Sequence, residues 1–143
     1  MVIGGFTPYS SLDSRTKAFI ERLYPLRHKH GFLAGKPTAA VITTAVPSGI
    51  EGLPPAGDFG VGAIQFLAME EGMNYVGEIV MDGNVPCVKC GYGDECSMSG
   101  IPMLYGPEAT VASVGIRCFE DQEAAVKGTA ELGRKIAEAL TTK

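Results

Sequence analysis

The chain has 143 residues, of which 45% are hydrophobic, and a formal net charge of −4. This length predicts one domain with an apolar core, and the acidic balance argues against nucleic-acid binding, which needs clustered Lys and Arg. No segment reaches the roughly 20 apolar residues that cross a bilayer, and no signal-peptide pattern opens the chain. We therefore expect a globular cytoplasmic protein that has no membrane partner.

The first two elements are predicted to be a strand and a helix. Residues 2–6 are apolar and precede a Thr-Pro dipeptide, a pattern typical of a buried strand. Either Asp13 or Ser14 can cap a helix that runs to about Tyr24. The predicted buried face of this helix comprises Thr16, Ala18, Phe19, Ile20 and Leu23.

The middle of the chain repeats this alternation. Residues 38–46 (TAAVITTAV) are apolar and β-branched, which predicts a central strand. A long loop leads to a helix from about Gly60 to Glu71, and residues 74–81 (NYVGEIVM) predict a third strand. The predicted buried side of that helix comprises Val61, Ile64, Leu67 and Ala68.

The last third of the chain begins with a loop insertion at residues 82–100, which holds three of the four cysteines. Residues 110–116 predict a further short strand or an extended segment. A helix is expected from about Asp121 to Leu140, because apolar residues recur at helical spacing. These residues are Ala125, Val126, Thr129, Leu132, Ile136 and Leu140.

This order predicts an α/β fold, with a parallel sheet of three or four strands, right-handed crossovers and helices on both faces. The loops at residues 7–12, 47–59 and 82–100 would then meet at the carboxyl edge of the sheet, where open α/β folds bind ligands. The basic turn with His28 and His30 would lie at the opposite edge. We interpret both histidines as solvent-exposed partners of the helix dipole and not as a His-x-His metal site.

The cysteines are the most distinctive residues chemically. Cys87 and Cys90 form a CxxC pair, Cys96 follows in the same loop, and Cys118 precedes the last helix. Four thiolates commonly close a zinc or iron–sulfur site, and reduced thiols are usual in the cytoplasm. The spacing matches neither a zinc ribbon nor a ferredoxin, so a metal centre, a redox-active CxxC and ordinary thiols all stay open.

Two further loops are candidate ligand contacts at the carboxyl edge. The first is the hydroxyl-rich turn Thr7, Pro8, Tyr9, Ser10 and Ser11, and the second comprises Ala45, Val46, Pro47, Ser48 and Gly49. A turn before a helix N-terminus suits an anionic or planar ligand, although the same residues serve equally well as an extended helix cap. The second loop offers backbone amides, but by itself it is only a turn.

Three segments resemble one known family. Residues 4–23 (GGFTPYSSLDSRTKAFIERL) resemble the segment after the third strand in flavodoxin-like proteins of the NADPH-dependent FMN reductase and iron–sulfur flavoprotein family. Residues 39–49 and 72–80 are similar to its fourth strand with the flavin-side loop and to its fifth strand. The resemblance covers nearly the whole chain but only the second half of that fold. It implies a truncated flavodoxin-like three-layer sandwich without the first two strands and the phosphate loop.

The resemblance also implies a flavin-dependent oxidoreductase or electron-transfer protein. Residues 7–11 and 45–49 would contact the isoalloxazine ring of FMN, which takes electrons from NAD(P)H or a redox partner protein and passes them on. It assigns no catalytic acid, base or nucleophile. The iron–sulfur members carry their cysteines before the matched segments, so the resemblance does not account for the cysteine loop.

A short sheet leaves the outer edge of the first strand unpaired, which favours association. We therefore expect a homo-oligomer or a partner that covers this edge. Two other functions stay open: a non-enzymatic metal- or iron–sulfur-binding module, and a truncated domain that serves in assembly with a partner.

Overall fold

A computed structural model describes residues 1–47 and 49–142 of the chain. Three parallel strands form one sheet in the order β1 (Val2–Phe6), β2 (Pro37–Thr44) and β3 (Asn74–Asp82). The α-helices of the described residues are α1 (Ser14–Leu23), α2 (Ala56–Glu70), α3 (Gly100–Tyr105), α4 (Val111–Val114) and α5 (Glu123–Thr141). The predicted parallel α/β sheet is confirmed, with three strands.

Helices cover both faces of the sheet, which gives a small flavodoxin-like sandwich. On one face α1 and α2 pack on β1 and β2. Their shared core comprises Ile3, Leu12, Ile20, Ala40, Ile42, Val61, Ile64 and Leu67. On the other face α5 packs on β3, where Gly128 lets the helix approach, since a Cβ atom there would lie 2.7 Å from Ile79 Cδ1.

The predicted buried faces of the helices are only partly correct. All four predicted α2 residues are buried, but Ala18 and Phe19 of α1 are exposed, because this helix contacts the core only through Ile20, which is buried, and Leu23, which is partly buried. In α5 the buried residues are Ala125 and Leu132, and Ile136 is half-buried. The predicted positions that are instead exposed are Val126, Thr129 and Leu140.

The short strand predicted at residues 110–116 is wrong, because this segment contains helix α4. Thr110 and Ser113 form a capping box, in which each side chain accepts a hydrogen bond from the other residue's backbone N–H. Gly115 ends the turn with a φ of 64°. Local capping therefore outweighs the β-branched composition of the segment.

The outer edge of β1 is partly bonded to α1. The Phe6 N–H donates to Asp13 Oδ2 at 3.3 Å, and the Asp13 N–H donates to Phe6 O at 2.9 Å. The Thr16 hydroxyl donates to Gly4 O at 3.2 Å. Only the backbone near Val2 is therefore left to pair with an added strand. The edge expected to attract a partner is thus shorter than β1 itself.

Residues 83–117, here called the cysteine lobe, leave the sheet after β3 and return before α5. Two side chains close the base of this lobe. Asn84 exchanges two hydrogen bonds with the Arg117 backbone, and Gln122 exchanges two with the Asp82 backbone. The insertion thus extends beyond the predicted residues 82–100 and includes α3 and α4.

Candidate functional site

Three loops meet at the carboxyl edge of the sheet, as the strand order predicted. The Gly83 N–H donates to Thr44 O at 2.6 Å, which joins the loops that follow β3 and β2. Thr7 packs against the first turns of α2, because a Cβ atom at Gly60 would lie 2.8 Å from Thr7 Cγ2. The loops after β2 and β3 are therefore joined to each other, and the turn after β1 contacts α2 at the same edge of the sheet.

The turn after β1 has an unusual backbone. Pro8–Ser10 forms a 3-10 turn in which Tyr9 has φ 52° and ψ 37°, and Ser10 has φ 57°. Left-handed conformations cost a non-glycine residue roughly 1–2 kcal/mol. The Tyr9 side chain is fully exposed, at 103% of its reference area, so no packing of the ring offsets this strain.

Two features beside Tyr9 suit a ligand. Thr7 is buried, and its Oγ1 atom has no hydrogen-bond partner among the described residues. A cavity of about 310 Å³ adjoins the turn and is lined by Phe6, Pro8, Asp13, Ser14 and Arg15. The cavity therefore combines an exposed aromatic ring of Phe6 with the cationic side chain of Arg15.

Two N–H groups in the first turn of α1 are already bonded to the Asp13 side chain. Asp13 Oδ1 accepts hydrogen bonds from the Arg15 N–H at 3.1 Å and the Thr16 N–H at 3.0 Å. Burial opposes ionisation of Asp13, but the hydrogen bonds from Thr16, Phe6 and Arg15 outweigh it and lower its pKa. Asp13 is therefore the N-cap of α1, one of the two caps that the sequence predicted.

The loop after β2 starts from an ordered turn. The Thr44 hydroxyl accepts from the Val46 N–H and donates to Val46 O, both at 3.2 Å. Ala45, Val46 and Pro47 are half-buried, and Gly49 is exposed with a φ of 84°. Ser48, predicted to belong to the same contact, lies outside the described residues.

In the cysteine lobe, three sulfur atoms accept backbone hydrogen bonds. The Tyr92 N–H donates to Cys90 Sγ, the Met98 N–H to Cys96 Sγ, and the Gly100 N–H to Cys87 Sγ, each at 3.4 Å. Cys87 is half-buried, whereas Cys90 and Cys96 are exposed. Backbone donors of this kind stabilise sulfur that carries negative charge.

The four cysteines do not form a preassembled metal site. Within residues 1–47 and 49–142, no three His, Cys, Asp or Glu side chains come together in a group that could hold a metal ion. All four thiols are free, and Cys118 lies outside the lobe, where its carbonyl accepts from Gln122 Nε2. The Asp94 carboxylate beside Cys96 accepts from the Val111 N–H at 2.7 Å, so it holds α4 in place.

His28 and His30 are exposed, as predicted, on the connection between α1 and β2. The His28 ring contacts Tyr24 edge-on, with centroids 5.1 Å apart, and the His30 ring lies 5.4 Å from Phe32. Both histidines therefore belong to the amino edge of the sheet, away from the three convergent loops.

The residue pairs that close the base of the cysteine lobe were not predicted from the sequence. Asn84, Arg117 and Gln122 pair across 33 to 40 residues, and no local pattern marks such pairs. Arg15 was also missed, although a cation directly after a predicted helix cap was a detectable signal.

No protein family matches the chain, and no curated protein matches it significantly. Among the described residues, no helix combines the length and the apolar composition needed to cross a membrane.

Proposed function

We propose that this protein binds FMN at the carboxyl edge of its sheet and acts in flavin-dependent electron transfer, as its resemblance to the NADPH-dependent FMN reductase family implies. One observation carries the proposal: Tyr9 stands fully exposed on a turn with two consecutive left-handed residues. Strained backbone of this kind is concentrated at ligand sites, where binding offsets its cost. An isoalloxazine ring stacked on Tyr9 would supply the apolar contact that the ring lacks in the free protein.

The neighbouring residues fit the polar parts of FMN. The buried Thr7 hydroxyl can bond to a polar edge of the ring if the turn adjusts to expose it. Arg15 can bind the phosphate, because a guanidinium forms charge-assisted hydrogen bonds to phosphate oxygens. This assignment does not need the N–H groups of Arg15 and Thr16, which the Asp13 side chain occupies.

FMN and the protein have different roles in this proposal. Bound FMN supplies the redox chemistry, taking electrons from a nicotinamide or a partner protein. Tyr9 orients the ring and shields one of its faces, and the turn that Thr44 forms with Val46 holds the second loop in position. No side chain is assigned the role of acid, base or nucleophile.

Titrations with FMN and with riboflavin, read by quenching of flavin fluorescence, test this function. Tyr9→Ala should weaken both ligands by roughly three- to tenfold, the size of one aromatic contact. Arg15→Gln should weaken FMN but leave riboflavin unchanged, because riboflavin has no phosphate. Tyr92→Ala is the matched control, since Tyr92 is also exposed but lies in the cysteine lobe. Absence of saturable quenching by FMN would refute the proposal.

A metal or iron–sulfur centre is the second candidate, and the three N–H···S hydrogen bonds favour it. In iron–sulfur proteins, hydrogen bonds to the sulfur atoms help to set the reduction potential of the cluster. Cys87, Cys90 and Cys96 are the proposed ligands, and Cys118 is the candidate fourth ligand. Since these thiols are not gathered in the described structure, metal binding would have to draw the lobe together.

Metal analysis of protein purified without oxygen tests this second function. Cys90→Ser should lose the metal, whereas Ser97→Ala, an exposed change in the same loop, should retain it. Equal metal content in both variants would exclude the cysteine loop as the site.

A further inference from the structure

Helix α2 lacks the charged outer side that a surface helix normally has. Its inner side, with Ile64 and Leu67, belongs to the core. No charged residue stands between Asp58 and Glu70, so the middle of the helix carries no charge on its outer side either. A helix that is apolar on all sides is normally covered on all sides. The outer side of α2 is therefore suited to burial against another surface.

Four residues form a line along this outer side, here called the outer stripe: Phe59, Gly62, Phe66 and Met69. Their spacing of three, four and three residues places them on one side of the helix. The three large side chains are 52%, 64% and 66% exposed, in chain order. Gly62 leaves a hollow between the two rings, because no atom lies within 4 Å of a Cβ atom at that position.

The exposed area of this surface approaches what a stable dimer needs. Tyr24, directly after α1, is 55% exposed, and with Phe66 it lines a cavity of about 370 Å³ between α1 and α2. At roughly 200 Å² for a large side chain, Tyr24 and the outer stripe expose roughly 470 Å² in each copy. Two copies would bury on the order of 950 Å² through these side chains alone, most of the roughly 1,200 Å² at the lower end of stable interfaces. The flanking residues of α2 add to this area.

The outer stripe is complementary to itself when two α2 helices pack antiparallel. Because its spacing reads the same in both directions, a twofold axis through its middle sets Phe66 opposite Gly62 of the second copy. The same axis sets Phe59 opposite Met69 of the second copy, and sulfur makes favourable contacts with aromatic rings. Each ring therefore meets a hollow or a flexible thioether, the self-complementarity that a twofold interface requires. A parallel pair would instead set Phe66 against Phe66.

The charged residues at the two ends of the outer stripe suit a second copy better than a lipid surface. Helices that lie on lipid carry Lys and Arg beside their apolar side, whereas Asp58 and Glu70 flank the outer stripe. The antiparallel arrangement sets Asp58 opposite Glu70 of the second copy. Glu70 already pairs with Arg27 at 3.5 Å, and a guanidinium has enough donors for two carboxylates. Arg27 therefore offsets the repulsion between the two acidic residues.

We propose that the outer stripe of α2 is the interface of a homodimer, in which two α2 helices pack antiparallel with Phe66 against Gly62 and Phe59 against Met69. This interface lies on α2 and not at the outer edge of β1. It depends neither on flavin nor on the cysteine lobe.

Sedimentation velocity of the whole chain, from about 1 to about 100 μM, tests this inference. We expect the wild type to become dimeric within this range. Phe66→Ala should weaken the dimer at least about thirtyfold, because each interface contains this ring twice. Phe19→Ala is the matched control and should leave the dimer unchanged, since Phe19 is also exposed but belongs to α1. A wild type that stays monomeric throughout, or that sediments with phosphatidylglycerol vesicles instead, would overturn the proposal.

Two charge variants test the antiparallel arrangement. Phe59→Glu and Met69→Lys should each be monomeric alone, because each buries an unpaired charge twice in the interface. Both positions are exposed, so circular dichroism should show folded proteins. An equal mixture should form a heterodimer, since the antiparallel arrangement sets the new carboxylate opposite the new ammonium and keeps the other Phe59–Met69 contact. A mixture that stays monomeric contradicts the proposal, because a parallel pair would not bring the two charges together.

Discussion

Asn84 and Arg117 lie 33 residues apart, yet the Asn84 side chain donates to Arg117 O at 2.9 Å and accepts from the Arg117 N–H at 2.8 Å. The Asn84 side-chain amide thereby bonds both the N–H and the C=O of Arg117, as the backbone of a neighbouring strand would. The Arg117 side chain adds an ion pair with Asp82 at 2.7 Å and lies over the Tyr105 ring, 5.2 Å from its centroid. This pair holds the cysteine lobe closed at its base.

Asn84→Ala should loosen the lobe more than Arg117→Ala. The first change removes both bridging hydrogen bonds, each contributing about 0.5–1.5 kcal/mol, whereas the second keeps them because they use the Arg117 backbone. The ion pair lost in Arg117→Ala is partly exposed and contributes less. Hydrogen exchange of lobe amides, compared with amides of β2, measures the difference. Equal protection in the two variants would contradict the assigned role of Asn84.

Two substitutions to glycine in the strained turn distinguish an effect on stability from an effect on flavin binding. Tyr9→Gly and Ser10→Gly each relieve a left-handed residue and should raise the free energy of unfolding by up to about 1 kcal/mol. Only Tyr9→Gly removes the ring that we assign to FMN, so it alone should weaken FMN binding. Urea unfolding and FMN titration of the same two proteins give both quantities. A loss of FMN binding in Ser10→Gly of the same size would show that the turn conformation, and not the ring, holds the ligand.

Because the pKa of Asp13 is lowered in the folded protein, we expect its contribution to stability to depend on pH. Its hydrogen bonds hold its pKa below the ordinary value of 3.8. Its contribution is therefore complete above that value and is lost as the pH falls through the folded-state pKa. Asp13→Asn should cost about 0.5–1.5 kcal/mol at neutral pH, because the amide keeps one oxygen for the helix cap but places an NH2 group where the carboxylate accepts from the Phe6 N–H.

The difference between wild type and Asp13→Asn should shrink in acid, as measured by urea unfolding at neutral pH and below pH 3.8. Asp121→Asn, at an exposed residue, is the control and should change little at either pH. If the difference in the free energy of unfolding stays constant with pH, the stabilisation by Asp13 does not depend on its charge.

Two glycine-to-alanine changes should have opposite signs. A Cβ atom at Gly93 would lie 2.4 Å from Cys87 O and 2.5 Å from Val111 Cγ2, so Gly93→Ala should strain the lobe by about 1–3 kcal/mol. Gly62 lies in α2 with no atom within 4 Å of such a Cβ, so Gly62→Ala should stabilise the helix by about 0.5–1 kcal/mol. Thermal unfolding with amide exchange in the lobe separates the two effects. Unchanged lobe protection in Gly93→Ala would contradict the close contact.

Much of the fold could be predicted because its determinants are local. The Asp13 cap follows from residues within one helical turn, and the three apolar runs follow from β-branched side chains that fit a pleated surface. Parallel order then follows from the alternation of strands and helices, and it brings the loops after β1, β2 and β3 to one edge. The strand predicted at residues 110–116 is wrong because two local signals conflict there. The β-branched residues favour a strand, but the capping box of Thr110 and Ser113 favours a helical turn.

Local residue patterns are enough to predict which segments form strands and helices, and which loops share the carboxyl edge. Three relationships depend instead on how the elements pack: Asp13 bonds to the edge of β1, Asn84 closes the cysteine lobe, and Glu71 Oε2 is buried without a donor among the described residues. These relationships join residues on different elements, and their free energy depends on distances and burial that no residue pattern encodes. Local periodicity therefore predicts the elements, whereas the partners of individual polar atoms depend on how those elements pack.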